Sequence, residues 1–268
     1  LIFAQLFHGG MRAPEHLTGF QPITASRTIC KESKSGYTRM ASEHDIWRII
    51  QDFTSAAVRC VESGFDGIEL HGAHGYLISQ FLSKTINKRT DKWGGDINGR
   101  SQFLIEIVNS IKNNVPENFI VGIRLSPEIE ELNISLEDSI KLIRKVKTMG
   151  LDFIHLSCWD IYAPSLQYPK DPKRIAEWIT HSIDNLPPII STGKIWSAED
   201  AQNAIDQGAD LVGVARAAIP YPDWAKNIEE TKYNPPKAPF SVQQLQDAEL
   251  SAPFINYMRK WKSFVEDD

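Results

Sequence analysis

The sequence is poor in cysteine and contains no closely spaced cysteine pair. Among its 268 residues the three cysteines are Cys30, Cys60 and Cys158. This spacing gives no support for a zinc or iron–sulfur site built from cysteine. Reduced thiols in or near the core are the simpler interpretation, and thiols that stay reduced are typical of the cytoplasm. We therefore expect a cytoplasmic protein with no bound metal.

Long apolar runs and an excess of positive charge are also missing. No run approaches the roughly 18 apolar residues that a membrane-spanning helix needs, and no secretory signal pattern is visible. The formal net charge is −5, which gives no electrostatic reason to expect nucleic acid or an anionic membrane as a partner. A small-molecule substrate is the expected partner.

The glycine-rich fingerprint of dinucleotide-binding sheets, Gly-x-Gly-x-x-Gly, is absent after the early predicted strands. Short apolar segments nevertheless alternate with helical patterns, which predicts a parallel α/β fold. Strands are predicted at 1–7, 67–71, 119–125, 152–157, 188–192 and 210–215. Helices are predicted at 42–63, 98–114, 135–149, 171–183, 197–207 and 222–230.

An open doubly wound sheet and a (β/α)8 TIM barrel both satisfy this alternation. Polar residues gather just beyond the ends of several predicted strands, which is how barrel enzymes build active sites. Together with the missing fingerprint, this favours the TIM barrel. The polar strand-end residues are His8, His71, Arg124, Ser157, Gly193 and Arg216.

The predicted strands number six, two fewer than a complete barrel. The sequence starts at Leu1 inside a strand-like segment and not at a methionine. We therefore expect a fragment that lacks the first two strands, with residues 1–230 forming the third to eighth. Residues 231–268 are expected to be a C-terminal extension with an amphipathic helix carrying Met258 and Trp261. That helix would pack on the barrel or on a partner subunit, which leaves a homo-oligomer open.

One short pattern recurs around three of the helices. Each begins at a serine followed three residues later by aspartate, a capping-box-like pattern. Each ends at a glycine that suits the left-handed helix cap, followed by an apolar residue, an aspartate and a strand. The glycines and aspartates are Gly64 and Asp66, Gly150 and Asp152, and Gly208 and Asp210.

The densest chemistry lies at the end of the second predicted strand, where His71, His74 and Tyr76 fall within six residues. Two imidazole N–H groups could converge on one carbonyl oxygen and polarise it, and Tyr76 could donate a proton at the same place. Metal ligation by the histidines is the rival interpretation. Buried structural histidines and a packing tyrosine are the simplest one.

Further polar groups lie in or just beyond other predicted strands. Arg124 lies at the end of an apolar strand and needs a partner, either a buried carboxylate or a ligand. Gln5 lies inside the first strand, and its amide can donate and accept at once, which suits the edge of a heterocycle; a structural hydrogen bond is the other interpretation. Gly193-Lys194 and Ala215-Arg216 follow the last two strands, where barrels frequently bind phosphate.

These residues resemble the Old Yellow Enzyme family of FMN-dependent ene-reductases, in particular its bacterial NADH-dependent flavin oxidoreductase branch. The resemblance extends from Gln5 to about Trp224. Its most specific motifs are QLFHGG at 5–10, GFDGIELHGAHGY at 64–76, NKRTDKWGG at 87–95 and GADLVGVAR at 208–216. The chain departs from the family pattern in placing Met11 between glycine and arginine, and in carrying Ala215 where glycine is frequent.

The resemblance implies a role for each matching position. Gln5 would contact the pyrimidine edge of the flavin, and Arg124 would lie beside its N1 and O2 atoms. His71 and His74 would hold the substrate oxygen, and Tyr76 would protonate the α-carbon while flavin N5 delivers hydride to the β-carbon. The FMN phosphate would be bound by Gly193, Lys194, Ala215 and Arg216.

The expected function is therefore FMN-dependent reduction of activated C=C bonds, such as those of enones and nitroalkenes, with electrons from NADH or NADPH. Two alternatives stay open. One is a metal-dependent barrel hydrolase that uses His8, His71 and His74. The other is an inactive or ligand-binding barrel fragment.

Overall fold

The central element of the structure is a parallel sheet. The computed structural model describes residues 1–266, and eight strands occur among them. They are β1 (Phe3–Leu6), β2 (Ile23–Thr24), β3 (Arg39–Met40), β4 (Gly67–Gly72), β5 (Ile120–Leu125), β6 (Phe153–Ser157), β7 (Ile189–Thr192) and β8 (Leu211–Gly213). Six of them form the sheet in the order β1-β4-β5-β6-β7-β8, and β2 pairs only with β3. The six predicted strands are confirmed, although the first and last are shorter than predicted.

Helices connect the successive strands of this sheet. They are α1 (Glu15–Thr18), α2 (Glu43–Glu62), α3 (Leu77–Leu82), α4 (Ile97–Lys112), α5 (Leu136–Val146), α6 (Ile175–Ser182), α7 (Ala198–Asp206), α8 (Trp224–Asn227), α9 (Val242–Asp247) and α10 (Ala252–Met258). The helix predicted at 171–183 begins only at Ile175. The reason is that the Glu177 carboxylate accepts from the Arg174 N–H at 2.6 Å, which fixes the first turn there. The helix predicted at 222–230 is likewise reduced to α8.

Strand neighbours follow chain order throughout the sheet, and every pair is parallel. This is the connectivity of a (β/α)8 barrel over six of its strands. The outer face carries buried aliphatic side chains such as Ile68, Val121 and Ile154, which pack against the helices in the main core. The opposite face, here called the inner face, carries Phe3, Glu69, Arg124 and His155. It is the face that a closed barrel turns inward.

The three serine-started helices begin as the sequence pattern predicts. Ser42 and Ser197 complete capping boxes, and Ser135 accepts from the Asp138 N–H. The three glycines that end these segments have φ values of 74 to 96°, a region where a Cβ is disfavoured. These caps fix where β4, β6 and β8 start.

The segment after Thr231 contains two helices, α9 and α10, in place of the single helix expected. Phe240, Leu245, Ile255 and Met258 form a small core there, which packs against Trp196 near the end of β7. The C-terminal extension thus contacts the barrel part of the chain. Trp261, which the amphipathic pattern places on the packing face, is 56% exposed. Residues 267–268 of the expected extension lie outside the described residues.

Within residues 1–266, no helix combines the length and the apolar character that crossing a membrane requires.

Candidate active site

The loop that follows β4 brings His71 and His74 together on the inner face. His71 is the fifth residue of β4, and His74 adopts a left-handed backbone conformation with φ 59°, followed by Gly75 with φ 74°. This reversal of the chain places the two imidazole rings 4.8 Å apart, centroid to centroid. Non-glycine residues in this conformation are strained and concentrate at functional sites. The predicted pairing of the two histidines is therefore present.

Helix α3 holds this loop in place from below. Ser79 Oγ donates to the Gly72 carbonyl at 2.9 Å, and Gln80 Nε2 donates to the Gly75 carbonyl at 2.8 Å. Gln80 Oε1 in turn accepts from the Met11 N–H at 3.1 Å. Because Ser79 and Gln80 are fully buried, the loop is fastened by hydrogen bonds that water cannot reach.

Tyr76 caps α3 and turns its ring toward the histidines. The ring centroid lies 5.1 Å from that of His71. On its other side the Arg12 guanidinium lies 4.7 Å from the Tyr76 centroid, and Arg12 Nη1 donates to the His74 carbonyl at 2.7 Å. The sequence left Arg12 without a role; the structure places its charge against the tyrosine ring, an attractive cation–π geometry.

Both histidines are neutral imidazoles at neutral pH. Burial lowers the pKa of His71 to about 4, with further lowering by His74 and Arg124. Burial likewise lowers the pKa of His74 to about 4, followed by the charges of Arg124 and Arg12. A neutral imidazole keeps one N–H donor. His71 Nδ1 is buried and has no hydrogen-bond partner among the described residues, so this ring retains a free polar atom.

Arg124 lies next to this pair, at the end of β5. Arg124 Nη2 donates to Ser157 Oγ at 3.1 Å, and Ser157 Oγ is hydrogen bonded to His74 Nε2 at 2.7 Å. Burial lowers the pKa of Arg124 and the Glu69 charge raises it, but a guanidinium stays protonated in proteins. Its Nε is buried and has no hydrogen-bond partner among residues 1–266. Arg124 is half-buried and has N–H groups that are not yet hydrogen bonded, so it can bind an anionic or polarisable ligand.

A second polar layer lies one step deeper on the inner face, and sequence reasoning missed most of it. Gln5 Nε2 donates to Glu69 Oε1 at 2.5 Å, and His155 Nδ1 is 2.7 Å from Glu69 Oε2. His155 Nε2 is 2.7 Å from Thr192 Oγ1. The layer draws one residue from each of four strands, β1, β4, β6 and β7. A signal was present in the sequence, because Glu69 and His155 are polar residues inside otherwise apolar strands.

The loops expected to bind phosphate leave the sheet side by side. Strands β7 and β8 pair in register, with Thr192 opposite Gly213. Lys194 Nζ forms an ion pair with Asp160 at 2.7 Å, so its charge is already compensated. Arg216 is exposed, and among residues 1–266 no carboxylate lies within ion-pair distance of it. Arg216 is therefore the cation available to a ligand at these loops.

The described residues contain no group of three or more His, Cys, Asp or Glu side chains that could hold a metal ion. His8, one member of the triad considered for a hydrolase, accepts from the Gly10 N–H through Nδ1 at 3.1 Å. This nitrogen is therefore already used within its own loop.

Comparison with known proteins identifies the family of this chain. A sequence model of the NADH:flavin oxidoreductase / NADH oxidase family matches residues 1–234. The chain belongs to this family. It is 32% identical over 231 residues to the probable NADH-dependent flavin oxidoreductase YqiG of Bacillus subtilis (strain 168), covering 84% of this chain and 62% of that protein. It is 36% identical over 242 residues to an NADH oxidase of Thermoanaerobacter brockii, covering 87% of this chain and 37% of the other.

Solved structures agree on the fold. The Old Yellow Enzyme homologue from Zymomonas mobilis superposes with a TM-score of 0.76 at 24% identity, over 94% of this chain and 74% of that one. A mutant of morphinone reductase in complex with tetrahydroNAD gives a TM-score of 0.71 at 26% identity, over 88% and 68%. The six parallel strands described above are thus part of the family's TIM barrel. The chain spans at most 62% of the length of the family members compared by sequence.

The residues present fit a flavin mononucleotide. Arg124 offers a guanidinium with an unused buried Nε, and the exposed Gln5 offers an amide. Arg216 offers a positive charge without a counterion among the described residues. These groups lie on strands β1 and β5 and in the loop after β8, at one end of the sheet, as a long ligand with an aromatic and an anionic end requires.

Proposed function

We propose that this protein is an FMN-dependent oxidoreductase that reduces activated C=C bonds with electrons from NADH or NADPH. One observation carries the proposal most strongly. Two neutral imidazoles and a phenol converge within 4.8 to 5.1 Å on the inner face, beside the half-buried Arg124. Neutral N–H donors polarise an oxygen without forming an ion pair with it, which suits binding of a carbonyl or nitro group.

In this proposal Gln5 and Arg124 bind the flavin ring, and the loops of Gly193-Lys194 and Ala215-Arg216 bind its phosphate. The backbone N–H groups of Ala215 and Arg216 donate to no other described residue, so they are free for a phosphate oxygen. Ala215 serves as well as a glycine there because only its N–H is needed. Bound FMN would supply hydride transfer from N5.

The substrate side is assigned to the loop after β4. His71 and His74 would each donate to the substrate oxygen and draw electron density from the conjugated C=C bond. Tyr76 would deliver the proton to the α-carbon. The Arg12 guanidinium at 4.7 Å from its ring favours the developing phenolate.

A nicotinamide and an enone would both need the same open side of the site. We therefore propose that NAD(P)H binds and leaves before the enone enters, which gives ping-pong kinetics.

The experiment uses the purified full-length protein. Anaerobic addition of NADH, or separately NADPH, should bleach the flavin absorbance, and a later addition of 2-cyclohexenone or a nitroalkene should restore it. The proposal fails if the protein binds no flavin, or if no enone or nitroalkene reoxidises the reduced form. A colourless protein with stoichiometric zinc would instead support the hydrolase.

A further inference from the structure

The polar layer beneath the candidate flavin site fixes the orientation of an amide. We infer that Glu69, held in turn by His155 and Thr192, is a positioning residue that makes the Gln5 carbonyl oxygen face the flavin and accept from its N3–H group. This inference rests on the proposed function, since it requires bound FMN. It assigns a role to a carboxylate and an imidazole that the proposed chemistry does not otherwise use.

The first step concerns the amide itself, whose oxygen and nitrogen ends look alike in shape. An ionised carboxylate can only accept hydrogen bonds. The Gln5 atom 2.5 Å from Glu69 Oε1 must therefore be the nitrogen. The amide oxygen is then the end of Gln5 that Glu69 does not hold.

The second step is that Glu69 is ionised. Burial alone would raise its pKa, but hydrogen bonding and charge from His155, the Gln5 hydrogen bond and the Arg124 charge lower the pKa below its ordinary value. The side chain is only 12% exposed. A carboxylate this enclosed is stable when its oxygens are occupied by donors, and here both are.

The third step is that hydrogen bonds fix the orientation of the Glu69 carboxylate. His155 Nδ1 contacts Glu69 Oε2 at 2.7 Å, so Nδ1 carries the proton. In the neutral ring Nε2 is then an acceptor, which Thr192 Oγ1 satisfies as donor at 2.7 Å. A Cβ at position 213 would overlap Thr192 Oγ1 and approach His155 Nε2. Gly213 therefore leaves the space that this arrangement needs.

The consequence is a selective contact. The pyrimidine edge of a flavin presents one N–H donor between two carbonyl oxygens. If the Gln5 amide is held with its oxygen toward the flavin, it accepts a hydrogen bond from the N3–H group. An amide that could flip would also bind a flavin in which another group replaces the N3 proton. The layer should therefore make binding depend on the N3 proton.

The test compares FMN with 3-methyl-FMN, in which a methyl group replaces that proton. Affinities are measured by quenching of flavin fluorescence on titration with the full-length apoprotein. We expect the unmodified protein to prefer FMN by about tenfold or more, the equivalent of one net hydrogen bond. Glu69→Gln keeps the size of the side chain but can donate as well as accept, so we expect the preference to fall at least threefold.

Two further variants separate positioning from a general loss of structure. His155→Gln should reduce the preference as Glu69→Gln does, and it serves if Glu69→Gln does not fold. In a Gln5→Leu background, Glu69→Gln should change the preference no further, because the responding amide is gone. If Glu69 had a purely structural role, its substitution would weaken the binding of FMN and 3-methyl-FMN equally and leave the ratio of the two affinities unchanged.

The outcomes distinguish the inference from the function on which it rests. If FMN binds and enones reoxidise the reduced protein, but Glu69→Gln and His155→Gln leave the FMN preference unchanged, the inference is wrong and the proposed function stands. If the unmodified protein binds neither flavin, both are wrong.

Discussion

At the scale of single residues, the candidate site depends on burying bases in their neutral form. His71 is 4% exposed. Both imidazoles lie near the cation Arg124, and His74 also lies near Arg12, so protonation is opposed by burial and by like charge. The same feature that makes the rings good neutral donors makes the folded state sensitive to acid. Function and stability are thus linked through the same two side chains.

This link predicts the direction of the pH dependence. The folded-state pKa values of about 4 lie below the ordinary 6.5, so the unfolded chain binds more protons between these values. The free energy of unfolding should therefore fall as the pH drops from about 6.5 toward 4, by about 2 kcal/mol per histidine between pH 7 and pH 5. Urea unfolding at a series of pH values measures this. His74→Asn should flatten the dependence, and an equally steep curve in that variant would contradict the assignment.

Tyr76 allows the proton step to be separated from the rest of the reaction. Tyr76→Phe keeps the ring against Arg12 and His71 but removes the hydroxyl. Reoxidation by an enone should slow by about 10²- to 10⁴-fold, the usual contribution of a general acid, while reduction by NAD(P)H should change little. Rapid-mixing absorbance measurements of the two half-reactions check this. Equal effects on both would remove Tyr76 from the proton-donor role.

At the scale of elements, the repeated Gly-x-Asp pattern has a second role besides ending helices. Each aspartate accepts, through Oδ2, the N–H at the start of the neighbouring strand. The three bonds are Asp66 to Ile2 at 2.6 Å, Asp152 to Val121 at 2.8 Å and Asp210 to Ile189 at 2.8 Å. The repeat thus sets the register between three pairs of strands at the end of the sheet opposite to the candidate site.

Removing one such bond should cost measurable stability. Asp210→Ala deprives the Ile189 N–H of its partner, and because Asp210 is exposed we expect a loss of about 1 kcal/mol in the free energy of unfolding. Asp210→Asn retains an acceptor oxygen and should recover more than half of that loss. Urea unfolding of the three proteins side by side measures both. Equal stability of the alanine and asparagine variants would show that the hydrogen bond contributes nothing.

The same elements show what the sequence could and could not reveal. Apolar runs, serine caps and glycine ends predicted the six strands and the three serine-started helices, because those signals are local. The partners of Glu69 and His155 were not predictable, since their contact depends on the register of strands 86 residues apart in sequence. Strands buried on both faces also lack the alternation that reveals which residues share a face. His71 and His74 were found because only two residues separate them in sequence.

At the scale of the whole molecule, the candidate flavin site draws on strands from one edge of the sheet to the other. Gln5 lies on β1, Arg124 on β5, and Arg216 follows β8. A ligand that contacts all three stabilises the arrangement of the entire sheet, because it binds only when these strands are assembled. By mass action, ligand at about 100 times its dissociation constant adds about 2.7 kcal/mol to the free energy of unfolding.

The charges around the phosphate loops predict which part of the ligand supplies this stabilisation. FMN should raise the unfolding temperature of the full-length apoprotein more than riboflavin, which lacks the phosphate. Arg216→Gln should remove most of that difference and leave the riboflavin shift unchanged, since Arg216 has no counterion of its own among the described residues. Lys194→Gln is the matched control: its ammonium is already paired with Asp160 at 2.7 Å, so the difference should shrink less. Thermal unfolding followed by circular dichroism measures all six shifts, and equal stabilisation by FMN and riboflavin would place the phosphate elsewhere.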